Sequence, residues 1–358
     1  MSKSPSKPDS EKTEAFTGKV LGDTAATFTT ILAFLGDRLG LFKELAAGGP
    51  ATSEELAQRA RVNERYAREW LGAMASAGYL EYAPGTKRFT LPAEHAPALA
   101  EEGGPHFFAG AHEMIVSFVG VLDALEKAFR EGGGVRQDAY GPTMRRGMER
   151  FTIGWFNNFL LQEWLPAMPD VEAKLRSGGT LADVGCGRGH ALVRLARQFP
   201  EARFVGYDIF EPTIAEAEAN ARAAGVHERV RFRAMDVAKG PPERYDVVTT
   251  FDVVHDSPDP LGLLRAIRGS LSPGGIYVCL DVNCSDRLEE NLGALGSVFH
   301  GFSVLYCMTT SLGRGGAGLG TLGFHEPKVR ELCAEAGFRE VRRVPIENPF
   351  NKLYEIRP

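Results

Sequence analysis

Long apolar runs are missing from this chain of 358 residues. The longest, such as residues 115–122, fall well short of the ~20 needed to span a bilayer, so no membrane partner is expected. Basic charge is also short: 41 Lys and Arg against 46 Asp and Glu give a formal net charge of −5. Nucleic-acid binders usually carry a basic domain, so no nucleic-acid partner is expected either. No apolar core follows the first lysines. Residues 1–17, opening MSKSPSKPDSEKTE, therefore predict a disordered tail and not a signal peptide. The five cysteines, Cys186, Cys279, Cys284, Cys307 and Cys333, form no CxxC pair and are odd in number. They predict small buried side chains in a reducing, cytoplasmic setting. No metal site is expected, because Asp281 and Asn283 are isolated donors without an obvious third ligand.

What is present is enough for two cores at this length. Residues 25–45 repeat apolar side chains at helical spacing through Phe28, Ile31, Leu32, Leu35 and Leu39, until Gly48-Gly49-Pro50 breaks the pattern. Thr52 or Ser53, followed by Glu54 and Glu55, marks a helix start. A short helix to Ala60, a turn at Val62-Asn63 and a longer helix over 64–77 follow. A hairpin over 79–91 turns at Pro84-Gly85-Thr86. That order predicts a winged-helix domain over 18–100. Its second helix mixes Arg65 and Arg68 with Glu64 and Glu69, and the wing offers only Lys87 and Arg88. Too few cations are left uncompensated for a DNA reader, so packing or dimerisation is the expected role. Residues 101–168 predict a helical linker and substrate cap, the most aromatic part of the chain, with Trp155, Phe156 and Phe159 as candidate walls of a substrate pocket.

Over 169–358 short apolar strands alternate with amphipathic helices, which predicts parallel βαβ units with both sheet faces covered. The first strand ends in Asp183-Val184-Gly185-Cys186-Gly187-Arg188-Gly189 and a helix follows. Glycine there permits positive φ and lets a ligand approach the backbone. The spacing is GxGxG, because His190 stands where a dinucleotide fingerprint wants glycine, and no Lys-Ser/Thr follows for a triphosphate. Asp208 ends the second strand about 20 residues on, where a carboxylate can take both hydroxyls of a ribose. Asp236 ends the third, placed to accept from an adenine amine. Leu271-Ser272-Pro273-Gly274-Gly275 turns the chain into the fifth. Each feature is weak alone, but the ordered set is specific.

These motifs resemble the class I S-adenosylmethionine-dependent methyltransferases. The resemblance implies an α/β, doubly wound, Rossmann-like sheet of seven strands with the last antiparallel, joined here to a mainly α-helical winged-helix domain. It implies S-adenosylmethionine as cofactor, with Asp183, Gly185, Gly187 and Gly189 forming the loop and Asp208 and Ile209 holding the ribose. Met235 and Asp236 would flank the adenine, and Phe251 would lie along the cofactor. With the winged helix included, the chain is similar to plant-type small-molecule O-methyltransferases. It is closer to a bacterial winged-helix group, through YGPTMRRGMERF (140–151), EWLPAM (163–168) and YCMTTSLGRGGAGLGTLG (306–323). Such enzymes often pair through their N-terminal domains, which implies a homodimer.

In the plant-type enzymes a His-Asp pair after the fourth strand supplies the base. His255 could therefore take a proton from an acceptor hydroxyl while Asp256 fixes its tautomer or caps the next turn. The small methyl acceptor would have a partly hydrophobic body, with oxygen favoured and sulfur or nitrogen as alternatives. A cofactor-sensing DNA-binding regulator is the rival from another class. No N/DPPY/F motif ends the fourth strand, and Asn348-Pro349-Phe350 reads as a turn. Residues 318–323 spell GxGxxG but follow no strand. They read as a connecting loop or as a lid over the substrate, together with His300, Tyr306 and Met308.

Overall fold

Asp9 starts the first helix, its carboxylate accepting from the backbone N–H groups of Glu11 and Lys12, and α1 (Ser10–Arg38) runs from there. The computed structural model describes residues 8–240 and 243–358. The opening of the tail expected over 1–17 lies outside the described residues. Ser10 to Thr17 is helical, because the cap satisfies donors that a bare helix start leaves open. Gly40, with φ of 71°, ends the single helix expected over 25–45 and begins α2 (Leu41–Gly48). A capping box between Thr52 and Glu55 opens α3 (Ser53–Ala60), and the Asn63 side chain opens α4 (Glu64–Ser76). Strands β1 (Glu81–Ala83) and β2 (Arg88–Thr90) pair antiparallel as the wing.

These elements belong to the first of two units, which comprises residues 1–116 and 143–154. Leu41, Phe42, Leu56, Trp70, Leu71 and Met74 are buried in its core. The Trp70 indole donates to the Leu32 carbonyl at 2.8 Å. A side chain at Gly36 would meet that ring at 2.3 Å, so glycine is what lets α1 and α4 close on each other. Arg150 ties three segments of this unit together through Asp37 at 2.5 Å, Glu102 at 2.7 Å and Glu113 at 3.1 Å. Three cations of the winged helix are paired within it: Arg65 with Glu69, Arg68 with Glu64 and Arg88 with Glu55.

The second unit, residues 117–142 and 155–358, holds β3 (Thr180–Val184), β4 (Arg203–Asp208), β5 (Val230–Ala234), β6 (Tyr245–Phe251), β7 (Leu271–Val282), β8 (Glu340–Val344) and β9 (Asn351–Arg357). They form one sheet in the order β5-β4-β3-β6-β7-β9-β8. Strands β3 to β7 are parallel, and β9 inserts antiparallel between β7 and β8. Their near-continuous apolar runs are buried, with Val247, Ile276, Tyr277, Cys279 and Leu280 at or below 1% exposure, as strands covered on both faces require. The chain winds outward from β3 to β5 and then returns to β6 beside β3. That reversal opens a crevice at the carboxyl ends of β3 and β6, where open α/β sheets take their ligands. All five cysteines are free and buried. Among the described residues no single helix is long and apolar enough to cross a membrane.

Candidate active site

On the first side of the crevice the backbone does the shaping. Beyond β3 the N–H groups of Gly185 and Cys186 both donate to the Tyr207 carbonyl, at 2.7 and 2.9 Å. Gly185, Gly187 and Gly189 all have positive φ, at 74°, 51° and 76°. A side chain at Gly185 would meet Val253 at 2.5 Å and one at Gly189 would meet Phe232 at 2.5 Å, while Gly187 faces open space. Two of the three glycines are therefore packing requirements, and the middle one leaves a cradle with no side chain in it. Asp208 braces that cradle, one oxygen accepting from Gly187 N at 3.0 Å and the other from Phe210 N at 2.9 Å. Burial nevertheless raises the Asp208 pKa. Asp183 lies beneath the loop and accepts from the Thr249 hydroxyl at 2.7 Å. Burial pushes its pKa to about 7, against that hydrogen bond.

Ile209, at the tip of β4, is 43% exposed. Met235 N donates to the Asp208 carbonyl at 2.8 Å, which sets the next tip beside it. Asp236 caps the turn that follows and faces Arg314 at 3.9 Å. Phe251, ending β6, is ringed by two of the aromatics: Phe156 edge-on at 5.2 Å and Trp164 stacked at 6.2 Å. Phe159 stacks on the other partner, Trp164, at 6.4 Å. Trp155 faces Phe350 instead, in the turn that Asn348 and Pro349 begin.

The other side is built from side chains. His255 is 4% exposed. Its Nδ1 meets Asp281 Oδ1 at 2.6 Å, and its Nε2 lies 3.3 Å from Asp256 Oδ1. Asp281, near the end of β7, thus faces Nδ1, whereas Asp256, expected to fix the tautomer or cap the next turn, lies nearer Nε2. The spacing of 26 residues between Asp281 and His255 hid the pairing. Burial works to lower the imidazole pKa, but the charges of Asp281 and Asp256 outweigh it and hold the group well above 6.5. A third acid, Asp252, sits in the left-handed region at φ 56° and accepts from Asn351 Nδ2 at 2.6 Å. Burial and then the Asp281 charge raise its pKa.

Tyr306 is buried nearby, its hydroxyl held by Gln137 at 2.7 Å and its ring against Tyr140. Burial and then the Asp256 charge push its phenol up. Met308 follows Cys307 at the end of a π-helical turn, and its Cβ would lie 2.9 Å from a side chain at Gly320. His300 does not join them, since it is exposed on the helix Ala294–Phe302. The glycine-rich loop is pinned down behind His255. Ala317 N donates to Pro258 O at 2.8 Å and Ser311 Oγ to Ser257 O at 3.1 Å. A side chain at Gly316 would strike Pro258 at 2.3 Å.

A glycine cradle at the switch point, braced by an acid at the tip of the neighbouring strand, defines a doubly wound enzyme that binds a nucleoside-containing cofactor. The cradle that Gly187 leaves open and the acids at successive strand tips fit S-adenosylmethionine. Residues 27–101 match the Rv2258c-like winged HTH domain, and residues 175–309 match a methyltransferase domain. The N,N-dimethyltransferase OxyT of Streptomyces rimosus is 30% identical, over 68% of this chain and 72% of that protein. The 3-hydroxy-5-methyl-1-naphthoate 3-O-methyltransferase of Streptomyces sahachiroi is 28% identical, over 87% and 86%. Human N-acetylserotonin methyltransferase, solved with its cofactor, superposes with a TM-score of 0.71 at 18% identity, covering 99% of each chain. The chain spans less than half the length of the ubiquinone biosynthesis O-methyltransferases it also matches. This chain belongs to the S-adenosylmethionine-dependent methyltransferases with an N-terminal winged-helix domain.

Proposed function

We propose that the enzyme methylates a hydroxyl on a small, partly hydrophobic molecule, with His255 as the base. The observation that carries this reading is the Asp281–His255 contact. Asp281 takes the proton on Nδ1, which leaves Nε2 to receive one from an acceptor. When bound, the cofactor supplies an electrophilic methyl group on its sulfonium. Gly185, Gly187 and Gly189 would hold its amino-acid end, Asp183 would brace the loop from below, Asp208 with Ile209 would take the ribose, and Met235 with Asp236 would take the adenine. Phe251 would lie along it. The proton that the acceptor hydroxyl gives up would pass to His255 Nε2, and Asp281 and Asp256 would stabilise the imidazolium. Phe156 and Phe159 supply an apolar wall, with Trp155, Tyr306 and Met308 further round it. His300 has no part in this reading.

The chain works as a homodimer in this proposal. Every residue of α1 up to Phe28 is exposed, including Phe16 at 65% and Leu21 at 70%. A helical segment with no packed face is marginal in water, and a second copy of α1 would cover this one. The paired cations of α4 fit packing better than DNA reading, and the free buried thiols fit a reducing, cytoplasmic setting. Amine transfer is the second reading, favoured by the relation to OxyT and by the three acids around His255. The test is a panel of phenols, carboxylates, thiols and amines incubated with methyl-labelled cofactor. Phenols should take up most label. Turnover confined to amines would overturn the oxygen reading.

A further inference from the structure

Three unlike donors meet at His255. The ligand atoms of His255, Asp256 and Cys307 all lie within 4.8 Å of one another. Cys307 is 7% exposed and comes from the π-helical turn Ser303–Cys307, far along the chain from the other two. Such turns concentrate at functional sites. Asp256 Oδ1 is buried without a well-aligned hydrogen bond, although His255 Nε2 is 3.3 Å away and the Cys307 thiol lies within reach of Asp256. The pair is close but not aligned for a hydrogen bond.

A shared cation accounts for that spacing. Tetrahedral zinc, with bonds of ~2.0–2.1 Å to nitrogen and ~2.0–2.2 Å to oxygen, sets those two ligand atoms about 3.4 Å apart. The remaining contact of the imidazole also fits. A metal-ligating histidine characteristically donates its other N–H to a carboxylate, and Nδ1 lies against Asp281. A nitrogen, oxygen and sulfur set suits zinc, whereas magnesium and calcium take oxygen. Because the ligands stand at 255, 256 and 307, no local spacing in the sequence announces them.

We propose that His255, Asp256 and Cys307 form a Zn2+ site, and that loading it withdraws His255 from methyl transfer. The inhibitory effect rests on the reading of His255 as base, whereas the binding does not. With three protein ligands the fourth position stays open to water. Zinc at Nε2 occupies the lone pair that would receive the acceptor's proton, so loaded enzyme has no base.

Chelator-treated full-length protein, without acceptor, is titrated with Zn2+ against a chromophoric chelator, and with Co2+ as a spectroscopic probe. Wild type should bind one Zn2+ per chain, and the Co2+ form should show thiolate charge-transfer absorption. Cys307→Ser should lose that absorption and bind zinc about 100-fold more weakly or worse, since even losing an outer-shell partner costs ~10–100-fold. It should keep its basal turnover and its affinity for S-adenosylhomocysteine. Zinc should cut wild-type turnover about tenfold or more, reversibly with chelator, and leave Cys307→Ser near its zinc-free rate. Absence of saturable binding, or zinc binding unchanged in Cys307→Ser, would overturn the site. Binding with the thiolate signature but undiminished turnover would overturn the inhibition. Because binding is read without acceptor, failure of the site is distinct from failure of methyl transfer itself.

Discussion

In the proposed reading the two sides of the crevice solve the same problem, holding a ligand at a strand end, with different materials. The cofactor side uses backbone: alternate glycines at positive φ, and an Asp208 carboxylate that accepts from two main-chain N–H groups. The acceptor side uses side chains drawn from distant places, with His255 from after β6, Asp281 from β7 and Asn351 from β9. A backbone cradle depends on neighbours in sequence, so it tolerates little local change and binds one kind of ligand. A side-chain cluster depends on tertiary packing and can be re-tuned residue by residue.

The largest effect should come from the acceptor side. His255→Ala should cut kcat by ~10²–10⁴, the usual contribution of a general base, with affinity for S-adenosylhomocysteine nearly unchanged. The base must be deprotonated to act, and its pKa is raised. Wild-type turnover should therefore climb with pH through a value above 6.5, and the mutant should lose that limb. Asp281→Asn removes a charge that favours the imidazolium, so its limb should move to lower pH, by ~1–3 units for a close opposite charge. A mutant profile parallel to wild type would make the histidine structural. A limb that stays in place in Asp281→Asn would remove Asp281 from the pairing.

The same contrast decides what could be read from the amino-acid order. The sheet, its antiparallel closing strand and the glycine–acid series were legible because each is a local pattern: period, turn, then strand tip. The winged helix was legible for the same reason, through Thr52, Asn63 and the wing hairpin. Asp281 was visible only as an isolated donor, since its meaning depends on β6 and β7 lying side by side. The neighbours of Arg314 were unreadable, because the glycine-rich stretch has no periodicity to say which surface it packs on, and those of Cys307 depend on tertiary packing. His300 and Tyr306 are near in sequence, but the helix leaves His300 exposed while Tyr306 is buried. The division of 101–168 between two units was hidden too, since the Arg150 cluster joins acids from separate segments.

A smaller effect is expected on the cofactor side. Asp208→Ala removes one acceptor, while the glycine backbone remains. Affinity for S-adenosylhomocysteine should fall by ~1.5–3 kcal/mol, the range for a hydrogen bond to a charged group. Calorimetry is the measurement, and kcat at saturating cofactor should hold. Unchanged affinity would mean that the backbone alone binds the ribose, and that Asp208 serves only to brace Gly187.

The smallest effect should mark an ion pair that links the glycine-rich loop to the cofactor side. Arg314 and Asp236 are 3.9 Å apart, and each side chain is 33% exposed. At that separation and exposure the pair competes with water and salt, and such pairs contribute ~0.2–1 kcal/mol. Arg314→Ala should therefore weaken S-adenosylhomocysteine binding by about fivefold at most, with no change in the pH limb set by His255. The loop is already fastened by Ala317 to Pro258 and by Ser311 to Ser257, so losing Arg314 should not release it. Raising the salt concentration should shrink the difference between mutant and wild type, since screening removes what the mutation removes. A loss of more than tenfold, or one insensitive to salt, would mean that Arg314 contacts the cofactor itself. The loop would then belong to the cofactor side of the crevice, and the division between a backbone-built and a side-chain-built half would have to be redrawn.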